Sequence, residues 1–238
     1  MHRGCVCPAI LGLDSAGSAC SAGVAIGDAV LSIESREMPH GQAEALLPMV
    51  DRAVRGASLE ASAIDLVAVT VGPGSFTGIR VGLAAARGIA LALDIPLFGV
   101  TSFEAAAAAC GPDPAERLLL VALESRRADL FIQLFDPVRE PLGDPTAVMP
   151  EDLAEFVRAS TDGQPLAIAG DAAARAAAAL AASGGTGVVE HREPVVVGAL
   201  RTVLRRLRRG ERGGPARPFY LRSPDVTLPP GPHAPGMS

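Results

Sequence analysis

The stretch VTVGPGSFTGIRVGLAAARG, from Val69 to Gly88, constrains the fold more than any other part of the chain. An apolar run ends at Val71, Gly72-Pro73-Gly74-Ser75 follows, and a run of small and aliphatic residues begins at once. That order predicts a buried strand, a tight turn and a helix. The reading extends on both sides, with a strand over 65–71, a helix over 77–93 and a short strand over 97–100. Upstream, the apolar runs 9–13 and 20–26 flank Asp14-Ser15-Ala16-Gly17-Ser18, which reads as a hairpin turn, and 30–36 fits a third strand. Ala43, Leu46, Leu47, Val50 and Val54 form one stripe of a helix over 42–55, where Pro48 predicts a kink. Strands alternating with helices in this way specify an α/β fold.

The second half repeats the opening. LGLDS at 11–15 and VALES at 121–125 each run an apolar strand into an acid and a serine at a turn, with a strand behind it (130–135 in the second case). Asp14 and Glu124 stand nearly half the chain apart, as an internal duplication would place them. Helices are expected over 151–159, 172–182 and 199–209, with a strand at 166–169. The last helix is basic, with Leu200, Val203, Leu204 and Leu207 on one side. The expected division is an N-terminal lobe at 1–103, a smaller lobe at 104–227, and a disordered Pro/Gly-rich tail at 228–238.

The turn invites a test for phosphate chemistry. A Walker loop needs a Gly-Lys pair, and this chain contains no lysine. The dinucleotide fingerprint needs glycine where Thr77 stands, and the nucleophile elbow needs one where Pro73 stands. Two readings remain: an anion or nucleotide turn built from Asp14, Gly72, Gly74 and Ser75, or a helix cap that only turns the chain. His2, His40, His191 and His233 are scattered, and Cys5 and Cys7 form a C-x-C without a second pair, so no metal site is expected. A net charge of -5 opposes broad unaided contact with nucleic acid. No stretch reads as a signal peptide or a membrane span, which leaves the cytoplasm as the expected location.

Gly78, Gly82, Ala86 and Ala90 recur every fourth residue and make a ridge nearly free of side chains. Each interior glycine costs a helix about 1 kcal/mol relative to alanine. Close approach of another helix would offset that cost. With a neighbour inside the same chain as the alternative, the ridge is the expected partner-binding face, beside Leu46, Leu47 and Val50 of the preceding helix.

The segments ILGLDSAGSACSAGVAI, HGQAEALLPMVDRAV and DLVAVTVGPGSFTGIRVGLAAARGIALALDIPLFGVTSFEA resemble the TsaB (YeaZ) family of tRNA threonylcarbamoyladenosine biosynthesis subunits. The resemblance is strong over 9–105; beyond, it rests on Glu124-Ser125-Arg126, AIAGDAAAR at 167–175 and FYLRSPDV at 219–226. It implies an actin-like (ASKHA, RNase H-like) duplicated two-lobed fold. It also implies a non-catalytic subunit that binds a TsaD-like catalytic subunit and, with it, recruits a TsaE-like ATPase. The assembly would transfer a threonylcarbamoyl group to N6 of adenine 37 in tRNAs reading ANN codons. The chain alone would be a homodimer without a cofactor, with ATP or ADP entering only the assembled complex and tRNA contacted only through it. The catalytic relative's metal-binding histidine pair is replaced here by Ser102 and Ala106, and its tandem glycines by Gly170-Asp171. A metallopeptidase-like activity and an independent actin-like ATPase are the alternatives.

Overall fold

The computed structural model describes residues 7–113, 115–190 and 193–222. Two five-stranded sheets carry the architecture. In the first, β1 (Ala9–Asp14), β2 (Ala19–Ile26), β3 (Ala29–Glu37), β4 (Leu66–Thr70) and β5 (Leu97–Val100) lie in the order β3-β2-β1-β4-β5. In the second, β6 (Leu118–Glu124), β7 (Leu130–Phe135), β8 (Thr146–Val148), β9 (Leu166–Ala169) and β10 (Val188–Val189) lie in the order β10-β9-β6-β7-β8. Relabelled within each half, the two orders are the same. In each, the first two pairings are antiparallel and the crossovers that follow are parallel. The helices α1 (Gln42–Gly56), α2 (Phe76–Leu93) and α3 (Ser102–Cys110) follow the first set as α4 (Leu153–Thr161), α5 (Ala173–Ala182) and α6 (Val195–Arg208) follow the second. The chain is a duplicated, actin-like α/β fold.

Packing explains the layers. α1 and α2 cover one face of the first sheet, where Leu46, Met49, Ile79 and Leu83 meet Leu11, Leu13, Val67 and Val69. α4 and α5 cover the matching face of the second sheet. Between the sheets lie α3 and α6, and they are exchanged. α6 packs Leu200, Val203 and Leu204 on Ile10, Ala25 and Ala68 of the first sheet. α3 packs Phe103, Ala106 and Ala107 on Leu119, Val121 and Phe131 of the second. Where the two helices cross, a Cβ on Gly198 would fall 1.8 Å from the Ala105 carbonyl oxygen, so their backbones touch and only glycine fits.

α3 is absent from the sequence reading because its alanine run has no polar face to give a period; it is buried on all sides between two sheets. A start signal was present in Thr101 and Glu104, which form a reciprocal capping box. α1 runs unbroken through Pro48, and α6 begins at Val195, ahead of the expected start. α2 is also long and apolar enough, by length and composition, to pass for a membrane span, contrary to the expectation above. Its inner side is core: Ile79 and Leu83 sit in the first lobe's hydrophobic cluster. Residues 213–219 return to the first lobe, where Gly214 N donates to Leu97 O and Phe219 N to Val71 O. The expected disordered tail, 228–238, lies outside the described residues, as do Cys5, His2, His191 and His233.

Candidate functional site

The duplicated acid turns face each other across a cleft of about 1210 Å³. The β1–β2 turn and the glycine loop form one wall, and the ends of β6 and β9 form the other. Asp14 is buried at the end of β1; its Oδ1 accepts from the Thr70 hydroxyl at 2.5 Å and from Ala16 N at 3.2 Å. Opposite, Glu124 pairs with Arg175 at 2.7 Å, and Glu124 N donates to Asp171 Oδ1 at 2.9 Å. A Cβ on Gly17 would stand 3.6 Å from Asp171 Oδ2, so the two turns nearly meet.

The lining contains Asp14, Glu37, Glu124, Asp171, Glu190 and Glu193, with Arg126 as its arginine and His40 at the rim. A phosphate entering this space meets a surplus of like charge. Cys20, buried behind Asp14, has its thiol pushed up to about 11, chiefly by burial and then by the Asp14 carboxylate. It is an inert core thiol. Ser102 and Ala106 also line the cleft, and neither offers a metal a nitrogen or sulfur donor. Among the described residues no cluster of His, Cys, Asp and Glu could hold a metal ion.

The glycine loop is fastened rather than open. The Gly72–Pro73 bond is cis, and Gly72 sits at φ +105, its Cβ position occupied by Phe219 O at 2.6 Å. Ser102 N donates to Gly72 O at 2.8 Å, and Ser75 N donates to Ala16 O at 2.7 Å. Ser75 Oγ accepts from Gly78 N at 3.2 Å and so caps α2. Of the four residues expected to make an anion turn, Asp14, Gly74 and Ser75 reach the cleft, and Gly72 is buried. Their polar groups already serve the turn, so the structure favours the cap over the cradle.

The expected docking ridge needs correction. Gly78, Gly82, Ala86 and Ala90 all face inward. A Cβ on Gly78 would fall 1.9 Å from Ser15 O, and one on Gly82 would fall 2.7 Å from Ser15 Oγ. The close neighbour that requires these glycines is the chain's own β1–β2 turn, tied to α2 by the Ser15 hydroxyl donating to Gly78 O at 2.8 Å. Leu46 and Val50 are buried in the same core, while Leu47 is 54% exposed. The outward surface of the helix pair is a different set: Leu47, Val81, Ala85, Gly88 and Ile89 line an apolar groove of about 570 Å³, with Leu46 at its floor. Sequence reasoning missed Gly88 as a site residue. Its signal was that it lies off the every-fourth register, so the internal contact leaves its helix cost unexplained; a Cβ there meets nothing within 4 Å.

The basic helix is also accounted for. Arg206 reaches Glu104 at 2.5 Å, Arg208 reaches Asp28 at 2.5 Å, Arg209 reaches Glu140 at 2.6 Å, and Arg201 pairs with Glu193. Glu140 is held below the usual carboxylate range, chiefly by its hydrogen bond from Arg209.

Residues 37–207 match the family model described as TsaD, tRNA N6-adenosine threonylcarbamoyltransferase. The tRNA threonylcarbamoyladenosine biosynthesis protein TsaB of Escherichia coli is 30% identical over 123 residues, which is 51% of this chain and 52% of that protein. The match thus spans about half the length of that relative. An uncharacterized protein of Mycobacterium bovis is 30% identical over 227 residues, 91% of this chain and 93% of that one. The structure of YeaZ from Pseudomonas aeruginosa superposes with a TM-score of 0.72 at 23% identity, covering 90% of this chain and 100% of that one. The family model covers well over half of the chain, and the chain belongs to the family that it describes and, with the relatives above, to its TsaB (YeaZ) members.

Proposed function

We propose that this chain is a non-catalytic subunit in the formation of threonylcarbamoyladenosine on tRNA. It binds a TsaD-like catalytic subunit through the α1–α2 face and forms with it the platform for a TsaE-like ATPase. The observation that carries this reading is the uncovered apolar groove beside Leu47, Gly88 and Ile89. Apolar surface of this kind is stabilised by removal from water, and Gly88 leaves room for another helix backbone to approach. The pathway comes from the Escherichia coli relative, a tRNA threonylcarbamoyladenosine biosynthesis protein. In support of a role without chemistry of its own, three of the cleft's acids, Glu124, Glu193 and Asp14, are engaged by Arg175, Arg201 and Thr70. In isolation the same groove would pair two copies of this chain.

Ile89→Asp tests the assignment, because it places a charge in the groove from a half-buried position on α2. Sedimentation should show loss of self-association and of binding to the catalytic subunit, with circular dichroism unchanged. Threonylcarbamoyl transfer to tRNA by the reconstituted set of proteins should fall in parallel. A folded Ile89→Asp chain that associates and supports transfer as the parent does would overturn the reading.

A further inference from the structure

The arginines of α6 are held by carboxylates. Among the arginines with no carboxylate partner in the described residues, one lies on the returning segment and one at the start of α2. Tyr220 packs against Phe76 with ring centroids 5.6 Å apart and planes tilted by 33°, and the Arg80 guanidinium lies 3.8 Å from the Phe76 ring centroid. Arg80 forms no ion pair with a described residue. Arg217 is exposed, also has no carboxylate partner among the described residues, and is fixed in place by its neighbours. Arg87 Nη2 donates to Ala216 O at 2.6 Å on one side, and Phe219 N donates to Val71 O at 2.8 Å on the other. The result is a cluster of Tyr220, Phe76 and Arg80, with the exposed Arg217 three residues before Tyr220 on the same strap.

We propose that this corner is an RNA contact of the chain: Arg80 and Arg217 meet phosphates, and a base stacks on the Phe76–Arg80 layer. Three arguments favour RNA over a protein. Aromatic rings and guanidinium planes are the platforms on which unpaired bases stack. Two arginines with no carboxylate partner among the described residues make a local attraction for a polyanion in a chain of net charge -5. Phe76 is 41% exposed but sandwiched between a ring and a cation, so it offers a stacking edge rather than an open apolar surface for a partner side chain to fill. The inference rests on the reading of this chain as part of a tRNA-modifying assembly.

The test uses the full chain alone and a fluorescein-labelled, unmodified tRNA transcript, with anisotropy read from low to moderate salt. Binding should weaken with salt. In the Arg80→Gln/Arg217→Gln variant the log–log salt slope should fall by about two, one for each phosphate that no longer meets an arginine. Phe76→Leu should lower affinity severalfold without changing the slope, because it removes stacking and no charge. Arg201→Gln/Arg205→Gln should leave the slope as in the parent. A parent chain silent up to about 100 µM, the weak end of non-specific binding, would overturn the proposal. So would an unchanged slope in the Arg80/Arg217 variant, or a slope loss confined to the α6 variant. If the Arg80/Arg217 variant instead loses the catalytic subunit in sedimentation while its RNA slope is unchanged, the corner is a protein contact and the proposal fails. Because RNA binding is read on the chain alone, failure of partner assembly is scored separately, against the proposed function.

Discussion

Replacing Gly88, Gly82 and Gly78 with alanine, one at a time, separates three meanings of a helical glycine. Each substitution recovers about 1 kcal/mol of helix propensity. At Gly88 nothing opposes the gain, since the new Cβ meets no atom within 4 Å. Gly88→Ala should therefore raise stability by nearly that full amount, or about 2–4 °C in Tm for a chain of this size. At Gly82 the Cβ arrives 2.7 Å from Ser15 Oγ, which must move, breaking its buried bond to Gly78 O. Leaving such a group unsatisfied costs about 1–3 kcal/mol, so the net effect is a loss of up to about 2 kcal/mol. At Gly78 the obstacle is the Ser15 carbonyl at 1.9 Å, and no side-chain rotation relieves a backbone collision. That variant should be the least stable of the set. Thermal unfolding by circular dichroism, at concentrations where sedimentation reports a monomer, gives the order directly. Gly88→Ala should melt above the parent, and the parent above Gly82→Ala and Gly78→Ala. A Gly88→Ala chain melting below the parent, or a Gly82→Ala chain melting above it, would refute the assignment of which face is internal.

Two further outcomes follow from buried contacts. Cys20, with its folded pKa raised from 9.0 to about 11, contributes stability that is complete below about pH 9 and is lost as pH rises through 11, because the unfolded chain gives up its proton first. Urea titrations should show this alkaline loss in the parent and a flatter profile in Cys20→Ala, while a thiol reagent labels exposed Cys7 in the native chain and Cys20 only after unfolding. Gly198→Ala should destabilise by more than about 3 kcal/mol, since its Cβ collides with the Ala105 carbonyl at the α3–α6 crossing, and a melting point within a degree of the parent would show that the helices can separate there.

Most of the first lobe was legible because α1 is half-buried and carries a period, while the lobe's inner strands, buried along their length, are short apolar runs. α1 shows one apolar stripe, and β1, β2 and β4 are bounded by turn residues on both sides. The duplication was legible too, from an acid and a serine at the ends of β1 and β6. Signals failed in an enclosed helix with no polar face and in an exposed edge strand too short to show an alternation. α3 is enclosed and reads as bare alanine, whereas β10 is two exposed valines at a sheet edge. The ridge failed for a different reason. Spacing alone shows that Gly78, Gly82, Ala86 and Ala90 share a face, but not which neighbour that face meets. The deciding neighbour, Ser15, lies far away in sequence and arrives only through the parallel pairing of β1 with β4.

The same pairing explains what the acid turn and the glycine loop do to each other. Parallel β1 and β4 bring the acid turn and the glycine loop side by side, which in principle prepares a phosphate site at a helix start. In this chain the two segments bond to each other instead: Ser75 N to Ala16 O, Ser15 Oγ to Gly78 O, and Thr70 to Asp14. Donors and acceptors that would have faced a ligand are used to weld α2 to the β1–β2 turn. That weld fixes α2 along its inner side, and the returning strap at Phe219 and Ala216 fixes its start and middle. A helix held so firmly can present Val81, Ala85, Gly88 and Ile89 at a constant height beside Leu47 without losing further conformational freedom on association. The glycine loop therefore acts on function from behind: it stiffens the outer face of α1 and α2, and the binding reading of this chain depends on that stiffness rather than on any group inside the cleft.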